Sequence, residues 1–160
     1  MPIRLKEERP QKVGHHVTHY GLETGWLVSK TFKGLVEEME PNVHGFLPTE
    51  ILRLDGSVSK NRYFLLKIRN VFDALDLEHP DIRPSYTPIK KKFVYYVHNI
   101  SDPVYFDRKT IGKAALWYDK NLRAREVFCS DAFAEALCAY GDTGLRFREA
   151  RFFDRTEGSL

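Results

Sequence analysis

The stretch GWLVSKTFKGLVEEMEPNVHGFL, residues 25–47, decides the predicted fold. Its apolar start predicts a short strand, and Ser29 is a residue type that favours the N-cap of a helix. Four apolar residues then recur at i, i+3, i+4 and i+7, which is one face of an amphipathic helix. Pro41 ends this helix, and the apolar run from Gly45 predicts a second strand. The apolar face consists of Phe32, Leu35, Val36 and Met39.

A second stretch, VFCSDAFAEALCAYGDTGLRF at residues 127–147, repeats this order of elements. Ser130 is its predicted cap, and Gly144 opens a last strand that includes Phe147. Its helical stripe consists of Phe133, Ala136, Leu137 and Tyr140. Each helix needs a sheet to cover its apolar face. We therefore predict an α+β fold with a mixed or antiparallel sheet and two similar strand–helix–strand lobes. Whether the lobes are a duplication stays open.

We predict one domain over residues 1–160. Its expected parts are an N-terminal arm (1–20), a first lobe (21–78), a connection (79–92), a second lobe (93–150) and a C-terminal tail (151–160). The connection contains three prolines, which favour an irregular path. Further predicted strands are Tyr63 to Leu66, Leu116 to Tyr118, and a hairpin that pairs Phe93–His98 with Val104–Phe106.

The charge is mild, with 25 basic and 22 acidic residues and a formal net charge of +3. A dedicated nucleic-acid module usually carries stronger and more clustered positive charge. The first residues lack the apolar core of a secretory signal, and no apolar stretch approaches the roughly 18 residues of a membrane helix. Two cysteines agree with a reducing compartment. We expect a soluble cytoplasmic protein without membrane contact.

Histidines and cysteines offer two candidate reactive groups. His15, His16 and His19 resemble part of a zinc-protease signature, but His16 stands where that signature needs glutamate. Helical spacing would put Cys129 and Cys138 roughly 12 Å apart, which is beyond the reach of a disulfide. Cys129 precedes a helix, where a thiolate would be favoured, but we interpret it as a small buried apolar residue. We therefore expect no metal, no disulfide and no cofactor.

Asp73 and Asp76 are the candidate pair of catalytic carboxylates. Spaced by three residues, they would face the same way on one helical turn. We favour a structural role, in which both side chains hydrogen-bond the turn after the Tyr63 strand. The sequence contains no glycine-rich phosphate loop, no G-x-S-x-G and no paired C-x-x-C. We therefore predict that the chain is not an enzyme.

A basic and aromatic segment lies in the predicted connection. Arginine and tyrosine are enriched in protein interfaces, while aromatic rings between basic residues can also bind single-stranded nucleic acid. A solvated loop is the third interpretation. We assign to partner binding Arg83, Tyr86, Lys90, Lys91 and Lys92.

The residues from Leu116 to Arg151 resemble the C-terminal part of bacterial immunity-protein family eleven, formerly a domain of unknown function. The resemblance rests on strand and cap patterns and extends over about residues 25 to 150. The chain departs from the family at Tyr118, where a basic residue is expected, and at Lys67, where asparagine is common. Residues assigned by this resemblance to the structural motif are Ser29, Asp73, Asp76, Trp117, Ser130, Gly144 and Phe147.

The resemblance implies an immunity protein that binds a co-encoded bacterial toxin and neutralises it sterically. The cognate toxin is then the expected partner. The alternative is a nucleic-acid-associated protein that uses the basic and aromatic segment. Immunity proteins against nucleases are often acidic, so a basic chain favours another toxin class or inhibition away from the active site.

Overall fold

The computed structural model describes residues 3–6, 18–19, 26–60, 62–88, 92–97, 103–122, 126–141, 145, 147 and 149–154. These residues form three helices and twelve strands in small mixed and antiparallel sheets, which confirms the α+β fold class. None of the described helices is long and apolar enough to cross a membrane.

The chain divides into two compact units. The first unit is Met1–Arg69 with Asp131–Arg146, and the second unit is Asn70–Ser130 with Phe147–Leu160. These units cut across the expected lobes of residues 21–78 and 93–150. The helix predicted for the second lobe belongs to the first unit.

The first unit contains a five-stranded sheet with the strand order β1-β4-β5-β3-β2. Strands β1 and β4 are parallel, and the other neighbours are antiparallel. Two of these strands lie within the segment predicted as an N-terminal arm. The strands are β1 (Ile3–Lys6), β2 (Thr18–His19), β3 (Trp26–Ser29), β4 (Gly45–Leu52) and β5 (Tyr63–Lys67).

Helix α1 (Lys30–Met39) begins where the sequence predicts it. Ser29 ends β3 and caps the helix, because its Oγ accepts a hydrogen bond from the Phe32 amide at 3.1 Å. Three of the four predicted stripe residues, Phe32, Leu35 and Val36, are buried. The helix ends at Glu40, whose amide donates to the Val36 carbonyl, and Pro41 follows.

Helix α3 (Asp131–Cys138) follows Ser130 directly and buries Phe133 and Leu137. The rings of Phe32 and Phe133 meet edge to face at 5.5 Å, so α1 and α3 pack against each other within the first unit. Tyr140, predicted on the buried stripe, is 49% exposed.

The strand predicted from Gly144 is not found in the described residues. Leu145 and Phe147 are outside any strand, and Gly144 lies outside the described residues. The strand that follows α3 is instead β12 (Ala150–Phe153), which pairs in parallel with β9 (Val104–Asp107). Pairing with β9 therefore decides that the later run, and not the run from Gly144, becomes a strand. A short apolar run does not by itself indicate which strand it will pair with.

The second unit contains three small sheets, with the orders β11-β10-β6, β12-β9 and β7-β8. A short helix, α2, is capped by Asp107, whose carboxylate accepts from the Lys109 amide and the Thr110 hydroxyl. The remaining elements are β6 (Val71–Phe72), β7 (Ile82–Thr87), β8 (Lys92–Val97), α2 (Arg108–Ile111), β10 (Leu116–Asp119) and β11 (Phe128–Cys129).

Three aromatic rings lie at the centre of the second unit. Phe106 contacts Phe128 at 4.6 Å and Trp117 at 6.1 Å, both edge to face, and Trp117 stacks on Phe128. Around them lie the buried apolar residues Ala74, Leu75, Ile82, Val104, Ile111 and Leu122.

Two predictions for the second unit were wrong. The expected connection, residues 79–92, contains β7, and β8 pairs with β7 instead of with β9. In a two-stranded ribbon each strand has a free edge, so proline is tolerated there. Pro84 therefore lies within β7 although the sequence favoured an irregular segment.

Candidate functional site

The predicted partner-binding residues lie on the antiparallel hairpin formed by β7 and β8. Tyr86 stands directly opposite Phe93, and Thr87 stands opposite Lys92 in the last pair before the turn. Arg83 lies nearer the other end of β7. Lys90 and Lys91 lie outside the described residues.

The end of the hairpin next to the turn carries an exposed aromatic pair, which we call the tip pair. Tyr86 is 53% and Phe93 58% exposed, although their rings contact each other edge to face at 5.5 Å. Large rings usually bury most of their surface on folding. The tip pair is thus apolar surface that remains exposed to solvent after the second unit has folded.

The opposite end of the hairpin, which we call the root, is fixed to the second unit. Ile82 is 4% exposed and belongs to the apolar core, and Tyr95 packs against the same core. The Tyr95 amide donates to the Asn121 carbonyl at 2.9 Å, and Tyr95 forms a parallel bridge with Leu122. The hairpin is therefore held by apolar burial and by backbone pairing.

The two faces of the hairpin have different side chains. Side chains alternate along a strand, and directly opposite residues share a face. Ile82 and Tyr86 therefore lie on the same face as Phe93 and Tyr95. Arg83, which is exposed, lies on the other face together with the buried Val94. The structure thus separates Arg83 from Tyr86.

The charge of the hairpin has a single sign. Residues 82–97 include four basic side chains, Arg83 and Lys90 to Lys92, and no acidic one. Because the whole chain carries +3, the remaining residues together sum to −1. Residues 82–97 are therefore a stretch of the sequence with four positive charges and no negative one.

A buried carboxylate that the sequence analysis missed supports the root. Asp119 is 4% exposed, and its Oδ2 accepts from the amides of Ala74 and Leu75 at 2.8 and 2.9 Å. Its Oδ1 accepts from the Asn121 amide at 2.8 Å, next to the carbonyl that binds Tyr95. An acidic residue directly after the apolar run Leu116 to Tyr118 was the available signal.

The predicted carboxylate pair has separate local partners. Asp73 accepts from the Asn121 side-chain amide at 2.7 Å and forms an ion pair with Lys120 at 2.7 Å. Asp76 accepts from the Glu78 amide at 3.1 Å. These bonds organise the turns around Asp119.

The first unit contains a second buried polar pair that sequence reasoning missed. His44 Nε2 lies 2.6 Å from Glu40 Oε2, and the His44 side chain is fully buried. Its Nδ1 accepts from the Arg69 amide at 3.3 Å, which places the ring proton on Nε2. The pair connects the end of α1 to the segment after β5. The i, i+4 spacing of Glu40 and His44 was the available signal.

Two exposed groups have shifted pKa values. Hydrogen bonds from Ser57 lower the pKa of Asp55, and hydrogen bonds to Glu149 raise the pKa of Arg151. Both groups are therefore charged at neutral pH, and neither lies on the hairpin.

Metal ligation has no support in the described part of the chain. No three of its histidine, cysteine and acidic side chains come together as metal ligands. His15 and His16 lie outside the described residues, and His19 is in β2. Neither Cys129 nor Cys138 forms a disulfide, and Cys129, which the sequence analysis interpreted as buried, is partly exposed.

The comparison with protein families decides the relationship of this chain. The family model of the Imm11 immunity proteins matches residues 2–151. The chain belongs to the Imm11 immunity protein family. The match confirms the resemblance seen in the sequence, and no curated protein matches the chain. Immunity proteins of this kind are generally not enzymes, in agreement with the sequence prediction.

The residues assigned to the Imm11 motif have different surroundings. Trp117 is 1% exposed, and within the described chain no acceptor binds its indole Nε1. The Ser130 amide donates to the Ala115 carbonyl at 3.0 Å. Phe147 is 45% exposed. The Imm11 motif thus includes core residues and surface residues.

Proposed function

We propose that this Imm11 protein binds a cognate bacterial toxin and neutralises it sterically, one copy per toxin molecule. Family membership supports a toxin partner. One observation supports the hairpin as the toxin-binding surface. The tip pair, Tyr86 and Phe93, is exposed on a hairpin whose root is packed in the core.

Exposed aromatic residues are suited to such binding. Interface hot spots are enriched in tyrosine, tryptophan and arginine, and a few of them supply most of the affinity. The tip pair offers two adjacent rings, and the root fixes their position before binding. This is the kind of rigid apolar anchor on which tight inhibition depends.

The polar side chains in the interior support occlusion in preference to turnover. Asp119, Glu40 and His44 are all buried and hydrogen-bonded to neighbouring backbone or side-chain atoms. These bonds connect separate segments of the fold, so a stabilising role accounts for all three groups. Inhibition by binding needs no further role from them.

Stoichiometry tests the proposal directly. The toxin domain encoded beside this protein's gene would be assayed for its activity at fixed concentration while the purified Imm11 protein is added. Occlusion predicts that activity falls linearly and ends at about one equivalent. Full inhibition at a small fraction of an equivalent would show turnover, and full toxin activity at excess Imm11 protein would refute the proposed function.

A further inference from the structure

We infer that the two faces of the β7–β8 hairpin have separate functions in toxin binding. The face with Tyr86 and Phe93 is the anchor, and it fits an apolar recess on the partner. Arg83, on the opposite face, attracts the acidic rim of that recess. The partner is thus a protein with an acidic surface around an apolar depression. This inference rests on the proposed function.

The anchor follows from the continuity of one face. Ile82 and Tyr95 occupy this face at the root, where it packs on the core. The same face continues to the tip pair, where its rings are more than half exposed. The part of an apolar face that extends beyond the core is exposed, and a second protein can bind to it.

The tip pair is also ordered before it binds. Tyr86 and Phe93 are cross-strand neighbours in edge-to-face contact, so each ring limits the rotamers of the other. Binding then loses less side-chain entropy than it would with isolated flexible residues. The rings therefore control how long the complex lasts.

The steering function follows from the charge distribution. Four basic side chains and no acidic one lie between residues 82 and 97, while the rest of the chain sums to −1. A concentrated charge of one sign accelerates the encounter with an oppositely charged partner. Arg83 lies on the face opposite the rings, so it acts through this field and does not enter the recess.

The same geometry disfavours a single nucleic-acid strand as the occupant. Such a strand binds with its phosphates on basic residues and its bases on aromatic rings. Arg83 and Tyr86 lie on opposite faces of the hairpin, so one strand does not meet both in a single groove. An acidic protein needs the rings for contact and the charges only for attraction.

Binding kinetics separate the two functions. An inactive form of the toxin domain encoded beside the gene would be immobilised, and association and dissociation rates measured at several salt concentrations. Tyr86→Ala with Phe93→Ala should dissociate at least about 30-fold faster, the loss typical of one hot-spot residue. Arg83→Ala should associate about threefold more slowly, with a shallower salt dependence and an unchanged dissociation rate.

Matched controls come from the first unit. Tyr140→Ala removes a tyrosine of similar exposure (49%), and Arg53→Ala removes an exposed arginine outside the hairpin. Both should bind like the wild type. Each variant's denaturation midpoint would be measured, and the single changes Tyr86→Ala and Phe93→Ala would replace the double change if that one unfolds.

The outcomes distinguish the two levels of the proposal. If the wild type does not bind the toxin, the proposed function and this inference both fail. If the wild type binds and the tip variants dissociate at its rate, or if Arg83→Ala changes dissociation as much as the tip variants do, only the division between the faces fails. Sub-micromolar binding of a 20-nucleotide single strand at physiological salt would replace the acidic protein with nucleic acid.

Discussion

The root and the tip of the β7–β8 hairpin share one face, but the surroundings of that face differ. At the root, Ile82 is 4% exposed and Tyr95 is paired with the Asn121–Leu122 segment. At the tip, Tyr86 and Phe93 are more than half exposed, and their rings contact each other. Folding therefore accounts for the apolar residues of the root and not for those of the tip. Within this one hairpin, the root residues can therefore be tested for their effect on stability and the tip residues for their effect on binding.

The largest stability effect is expected at the root. Ile82→Ala removes a buried side chain from the core of the second unit and should lower the free energy of unfolding by about 3 kcal/mol. Urea denaturation would measure this change. Leu54→Ala is the control, since Leu54 is 54% exposed and should cost little. A cost below that of the control would show that the root is not anchored in the core.

A smaller effect is expected at Asp119, which supports the root indirectly. Asp119→Asn replaces one acceptor oxygen with an amide group, so one of the bound amides faces a donor. We expect a loss of about 2 kcal/mol in the free energy of unfolding, with faster hydrogen exchange of the Tyr95 amide. The control is Asp55→Asn in an exposed turn, where Asp55 accepts from the Ser57 amide. Equal costs at the two positions would contradict the role of the buried carboxylate.

The sequence correctly predicted elements that are determined by residues close together in the chain. A 3.6-residue stripe and the Ser29 cap together fix α1, and the structure confirms both. The partner of each short strand depends on contacts distant in the chain. The β8–β9 hairpin was therefore a wrong prediction, because the partner of β9 is β12, more than 40 residues later.

The candidate site was predicted in composition but not in geometry. Tyr86 and Arg83 were selected as residue types, yet their placement on opposite faces follows only once β7 is recognised as a strand. Pro84 within β7 and the prolines on either side of it favoured an irregular segment instead. Asp119 was missed because two of its three amide partners, those of Ala74 and Leu75, lie 45 and 44 residues away.

Growth rescue by the tip variant tests the central claim most directly. Cells would express the cognate toxin that the proposed function requires, together with either the wild type or Tyr86→Ala with Phe93→Ala. Because both rings are more than half exposed, the double change should lower the free energy of unfolding by only about 1 kcal/mol, the contribution of one cross-strand aromatic pair. The account predicts that the wild type and Tyr140→Ala protect the cells, while the tip variant is equally abundant and folded but fails to protect. A folded tip variant that protects as well as the wild type would contradict the account.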